Sequence, residues 1–244
     1  MTVSAMPLHP NGTRRRIRVL GAARVLMAVV CAVALVARYN WGVGAVTFTP
    51  GNFFGYLTIQ SNIVFVIVIA IDGVASLSGR MLHPRMEAVR AGVLTCTITA
   101  GVVFALIVQQ SSVRAIRIDV PWSDVVLHFI VPVVALADWA ISPRTRRVTW
   151  RIIPLVLGYT CGWGAVTMIR GGVTGWYPYY FLDPNQTDGF GEFALLSGIA
   201  LAVFAVIGAA VVGISAIGSR WRIRRTARGS AVLPSALRHR PAPR

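Results

Sequence analysis

The chain has 244 residues, 55% hydrophobic and 13% charged, with a formal net charge of +16 and a mean hydropathy of +0.66. A soluble globular domain carries about 25% charged residues, so this composition excludes one. All 24 basic residues are Arg, clustered beside long apolar runs, which fits membrane topology and not nucleic-acid binding.

Six apolar runs approach the ~20 residues needed to cross about 30 Å of hydrocarbon. They cover roughly 19–37, 54–77, 89–109, 122–141, 152–170 and 193–217. A lipid-exposed span has to satisfy its own backbone, so each run is predicted as a helix despite its Val and Ile content. The predicted fold is therefore all-α, a polytopic six-transmembrane-helix bundle. It is flanked by a basic tail over 1–18 and an Arg-rich tail over 218–244. The end of that second tail mixes Gly, Ser, Pro and Arg and cannot form a core, so disorder is expected there.

The arginines predict the orientation. One side takes Arg14, Arg15, Arg16, Arg18 and Arg24, then Arg80, Arg85 and Arg90, then Arg144, Arg146, Arg147 and Arg151. It also takes Arg220, Arg222, Arg224, Arg225, Arg228, Arg238, Arg240 and Arg244. The other side takes only Arg38, Arg114, Arg117 and Arg170. Twenty against four predicts a multi-pass cell-membrane protein with both termini in the cytoplasm. Span one has the basic start and apolar run of a secretion signal, ending Leu35-Val36-Ala37. Its length and the five runs that follow favour retention as a true span.

In such a chain the informative residues are polar ones at apolar depth. Span two opens Phe54-Gly55-Tyr56-Leu57-Thr58-Ile59-Gln60-Ser61-Asn62. Thr58, Ser61 and Asn62 share one helix face, either as interhelical glue or as part of a site. Asp72 and Asp138, late in spans two and four, are expected to pair with arginines at the basic side. In span four Asp124 precedes His128 by four residues, so its carboxylate can orient the imidazole. After span five, Arg170 to Pro184 is dense in Gly, Trp, Tyr and Pro, as in an aromatic belt loop or a folded lid. Cys31, Cys96 and Cys161 lie inside apolar runs without CxxC spacing. They read as buried small residues, and neither a metal site nor any other cofactor is expected.

Spans two and four both start from the outer side. At 1.5 Å per residue, Thr58 and His128 lie about 6–9 Å below that face, at matching depth. A hydroxyl and an imidazole at one depth are a candidate nucleophile and base.

Three places carry a family resemblance: Tyr56-Leu57-Thr58, His128 followed by Pro132, and Gly158-Tyr159 leading to Val173-Thr174-Gly175-Trp176-Tyr177-Pro178. Over about residues 20–215 the chain resembles the androgen-induced and androgen-dependent TFPI-regulating membrane proteins, in a bacterial six-span branch. The polar Ile59-Gln60-Ser61-Asn62 segment and a shorter His-to-Pro spacing set it apart from the animal members. Those animal members are intramembrane threonine hydrolases of fatty acid esters of hydroxy fatty acids. The resemblance implies Thr58 as nucleophile and His128 as base, with membrane lipids as surroundings and a fatty acid ester as substrate. Asp124 is then the orienting group. Gln60, Asn62 and Tyr177 are the expected donors to an oxyanion, with Trp176 beside the substrate. The competing expectation is a non-enzymatic bundle that binds or transports a small solute or lipid, which needs a polar path to both faces.

Overall fold

A computed structural model describes residues 10–43, 48–80, 83–113, 119–142 and 148–231. Among these residues the chain is helical, with no strand. The helices are α1 (Pro10–Val43), α2 (Pro50–Gly55), α3 (Leu57–Leu77), α4 (Pro84–Val113), α5 (Trp122–Val125), α6 (Val131–Ile141), α7 (Ile152–Thr174) and α8 (Gly189–Ala231). A π-turn (Val126–Ile130) joins α5 to α6, and a 3-10 turn (Tyr180–Leu182) precedes α8. Six segments are long and apolar enough to cross a membrane: Arg14–Val43, Leu57–Leu77, Arg85–Gln109, Trp122–Ile141, Ile152–Thr174 and Gly189–Ala216. All six predicted spans are found.

The differences lie at span ends and breaks. The run expected over 54–77 is two helices, because Tyr56 is extended (φ −69°, ψ 129°). Helix α1 begins at Pro10, inside the expected basic tail, and the α8 backbone continues to Ala231. The backbone over 218–231 is thus helical, inside the expected Arg-rich tail. Arg and Ala both favour helix, which lets a span run past its apolar stretch. Residues 1–9 and 232–244, with Arg238, Arg240 and Arg244, lie outside the described residues, as do Arg114, Arg117, Arg144, Arg146 and Arg147.

Helices α1 and α3 form the tightest pair. A Cβ on Gly21 would stand 2.8 Å from the Gly73 carbonyl oxygen, so small residues allow this approach. The core lies between α1, α3, α4 and the α5–α6 segment, around Cys31, Phe65, Ile69, Leu127, Val131 and Trp139. Helices α7 and α8 are peripheral: only 22% of each span is buried, against 56% for α3. This placement exposes Cys161 and corrects its expected burial, while Cys31 and Cys96 are buried as expected.

The starts of α1 and α4 and the ends of α3 and α6 meet in a buried network. Arg24 binds Asp72 at 3.0 Å and Asp138 at 3.1 Å. Arg90 binds Asp72 at 2.7 Å and also pairs with Asp138. Ser76 accepts from Arg24, and the Ser142 hydroxyl donates to Asp138 at 3.0 Å. The Arg90 guanidinium lies over the Trp139 ring, whose Nε1 donates to the Val211 carbonyl of α8. The carboxylate–arginine pairing expected for both Asp residues is present, and it fastens five of the six spans at one end, here called the basic end.

Candidate functional site

Thr58 owes its setting to the break at Tyr56. A helix that stops inside a membrane leaves carbonyls without partners. Side chains replace them: Gln60 Nε2 donates to the Phe54 carbonyl at 2.9 Å, and Trp163 Nε1 of α7 donates to that of Gly55 at 3.1 Å. Beyond the break, Thr58 stands in the first turn of α3, where a backbone N–H has no acceptor within its own helix.

His128 sits in the π-turn. Pro132, four residues on, has no N–H for the His128 carbonyl, so a regular α-turn is denied a bond there. The Val131 N–H instead reaches back five residues to Val126. The freed carbonyl presses against Gly101 of α4, at a spot a Cβ would occupy. Phe104 stacks on the imidazole, with ring centroids 3.9 Å apart. His128 Nδ1 lies 3.0 Å from the Asp124 backbone carbonyl. A carbonyl only accepts, so Nδ1 carries the proton and Nε2 keeps the lone pair. The Asp124 carboxylate is 3.9 Å from that ring and bonds Arg38 Nε at 2.8 Å. The residue expected to orient His128 thus does so through its main chain, and its carboxylate is held by α1.

The segment after α7 is a folded lid. Gly175 ends α7 with φ +69°, a left-handed turn suited to Gly. Trp176 meets the Tyr56 ring edge-on at 5.4 Å and lies under the Arg170 guanidinium, which also binds Asn52. Tyr177 covers Gly171. Tyr179 turns inward, where its hydroxyl meets the Thr58 hydroxyl and backbone N–H. Burial pushes the Tyr179 phenol up to about 12, so it is a neutral donor across the physiological range.

These parts surround a cavity of about 220 Å³ lined by Arg38, Tyr56, Thr58, Phe104, Asp124, His128 and Tyr179, among others. Thr58, His128 and Asp124 come together. The four expected substrate contacts do not line it. Gln60 faces α7, where its Oε1 accepts from Tyr159 at 2.8 Å. Asn62 is fully buried, donating to the Thr58 carbonyl and facing Cys31 Sγ. Trp176 and Tyr177 brace the lid from behind. Arg38, Phe104 and Tyr179 are the lining residues that sequence reasoning passed over; Tyr179 stands two residues from the expected Tyr177. Comparison with family models, curated proteins and solved structures returns no match.

Proposed function

We propose that the protein is an integral membrane hydrolase of lipid esters, with Thr58 as nucleophile and His128 as general base. The observation that supports this best is the convergence on one cavity of Thr58, the Tyr179 hydroxyl and His128, whose Nδ1 lies on the Asp124 carbonyl. In this reading His128 Nε2 takes the Thr58 proton as Oγ1 attacks the ester carbonyl. The oxyanion is met by the Tyr179 hydroxyl. Collapse breaks the ester C–O bond, and His128 returns the proton to the departing alcohol. A water, deprotonated by His128, then attacks the acyl-threonine carbonyl; the bond to Thr58 Oγ1 breaks, His128 returns the proton to that oxygen, and the acid is freed. Arg38 holds Asp124 in place and adds positive charge to the cavity wall. The arginine distribution supports a basic end facing the cytoplasm, with both termini inside and the cavity toward the outer leaflet.

The test is turnover of a panel of lipid esters by the purified chain, beside Thr58→Ala and His128→Ala. Loss by about 10²–10⁴-fold in each variant, with unfolding temperatures unchanged, is the expected result. Absence of turnover in a folded wild type across the panel would overturn the reading and favour a binding or transport role.

A further inference from the structure

A second cavity, of about 310 Å³, lies behind the first between α4, α7, α8 and the lid. The two share Ala100, Val103 and Tyr179 as walls. Their linings differ in kind. The first carries Arg38, Thr58, Asp124 and His128, whereas the second is walled by Leu57, Trp163, Met168, Phe181, Leu201 and Phe204. Its Thr99 and Thr160 hydroxyls donate to carbonyls four residues back in their own helices. That leaves their methyl groups to face the space. The α8 lining runs from Phe193 to Phe204, eleven residues, or about 16 Å at 1.5 Å per residue. An engineered cavity of roughly 150 Å³ holds one benzene and stays dry. This one is about twice as large, and elongated.

We propose that this chamber binds a linear acyl chain and that Tyr179, its shared wall, places the chain's carbonyl end beside Thr58. The inference rests on the hydrolase reading for what happens to the carbonyl, but acyl binding stands or falls by itself. The occupant follows from shape and chemistry: an elongated, largely apolar space that shares walls with a polar cavity fits a chain with one polar end. Access is sideways from lipid, since α7 and α8 are the least buried spans and Cys161 on the chamber wall is exposed. Gly164 lies on the chamber wall, and a Cβ there meets nothing within 4 Å, so a side chain can start from this position without a clash.

Cys161 is the reporter, because Cys31 and Cys96 are buried. The full chain in nanodiscs is treated with N-ethylmaleimide while saturated fatty acids of graded length are titrated in, and modification of Cys161 is followed by mass spectrometry. The expected result is a saturable slowing of about tenfold for chains that fit, absent in Gly164→Leu. The same variant is expected to move any ester turnover toward shorter acyl chains. Protection of Cys161 without ester turnover would sink the hydrolase and keep the chamber. Unchanged Cys161 modification, together with an unaltered chain-length profile in Gly164→Leu, would overturn the chamber even if Thr58-dependent hydrolysis is measured.

Discussion

Two Arg–Asp clusters stand out among the described residues, and they are built differently. At the basic end, Arg24, Arg90, Asp72 and Asp138 satisfy one another in a buried square, closed by Ser76 and Ser142. At the other end Arg38 and Asp124 form a single pair beside a cavity, with a histidine lone pair and a threonine hydroxyl at hand. A buried charge has to be paired to be tolerated. A network that pairs everything leaves nothing over for a ligand, so the first cluster fastens helices. The second is tethered from one side and leaves groups turned toward empty space, which is the condition for chemistry.

Perturbing each cluster sharpens the contrast. The largest stability effect is expected at the square. Asp138→Ala leaves two buried guanidinium groups to share Asp72 alone and is predicted to cost about 3–5 kcal/mol, read as a fall in unfolding midpoint in detergent. If Asp138→Ala unfolds no more easily than wild type, the square is not what fastens the bundle. At the cavity, Tyr179→Phe removes one oxyanion donor and is expected to lower kcat about 10²–10³-fold at little cost in stability. An equal loss in stability would make Tyr179 a packing residue. Gly101→Ala pushes against the His128 carbonyl, and overpacking of this kind costs about 1–3 kcal/mol. It is expected to reduce turnover further than stability alone explains, measured as kcat on the folded fraction.

The smallest effect concerns the lid. Asp183 accepts from the Gln186 side chain and the Asn185 N–H, which holds its carboxyl below the usual range. A depressed folded pKa stabilises the lid above the ordinary Asp value, and the benefit is lost as pH falls through the depressed one. Hydrogen exchange over 180–188 is therefore expected to quicken below about pH 3.8 in wild type. In Asp183→Asn that pH step should be absent.

Apolar length made the six spans legible, and arginine counting foretold the pairing of Asp72 and Asp138. Depth was legible too, since Thr58 and His128 do share a cavity. Direction around a helix was not. Gln60 is two residues from Thr58, about 200° around at 100° per residue, and it faces α7. Asn62 shares the Thr58 face, but one turn deeper that face meets Cys31 and no space is left. The break at Tyr56 was hidden because apolar residues run straight through it. The π-turn leaves no composition signal beyond Pro132. Arg38 was read only as a topology marker, since its partner lies 86 residues away on another helix.

The Tyr179 wall also bears on how the protein is made. Helices α1 to α6 can bring Thr58 and His128 to the membrane, but the wall that meets Thr58 arrives only after α7, and α8 then backs it. The ribosome has by then translated most of the chain. Thr58 and His128 thus pass through insertion without that wall, which the last two helices and the segment between them complete.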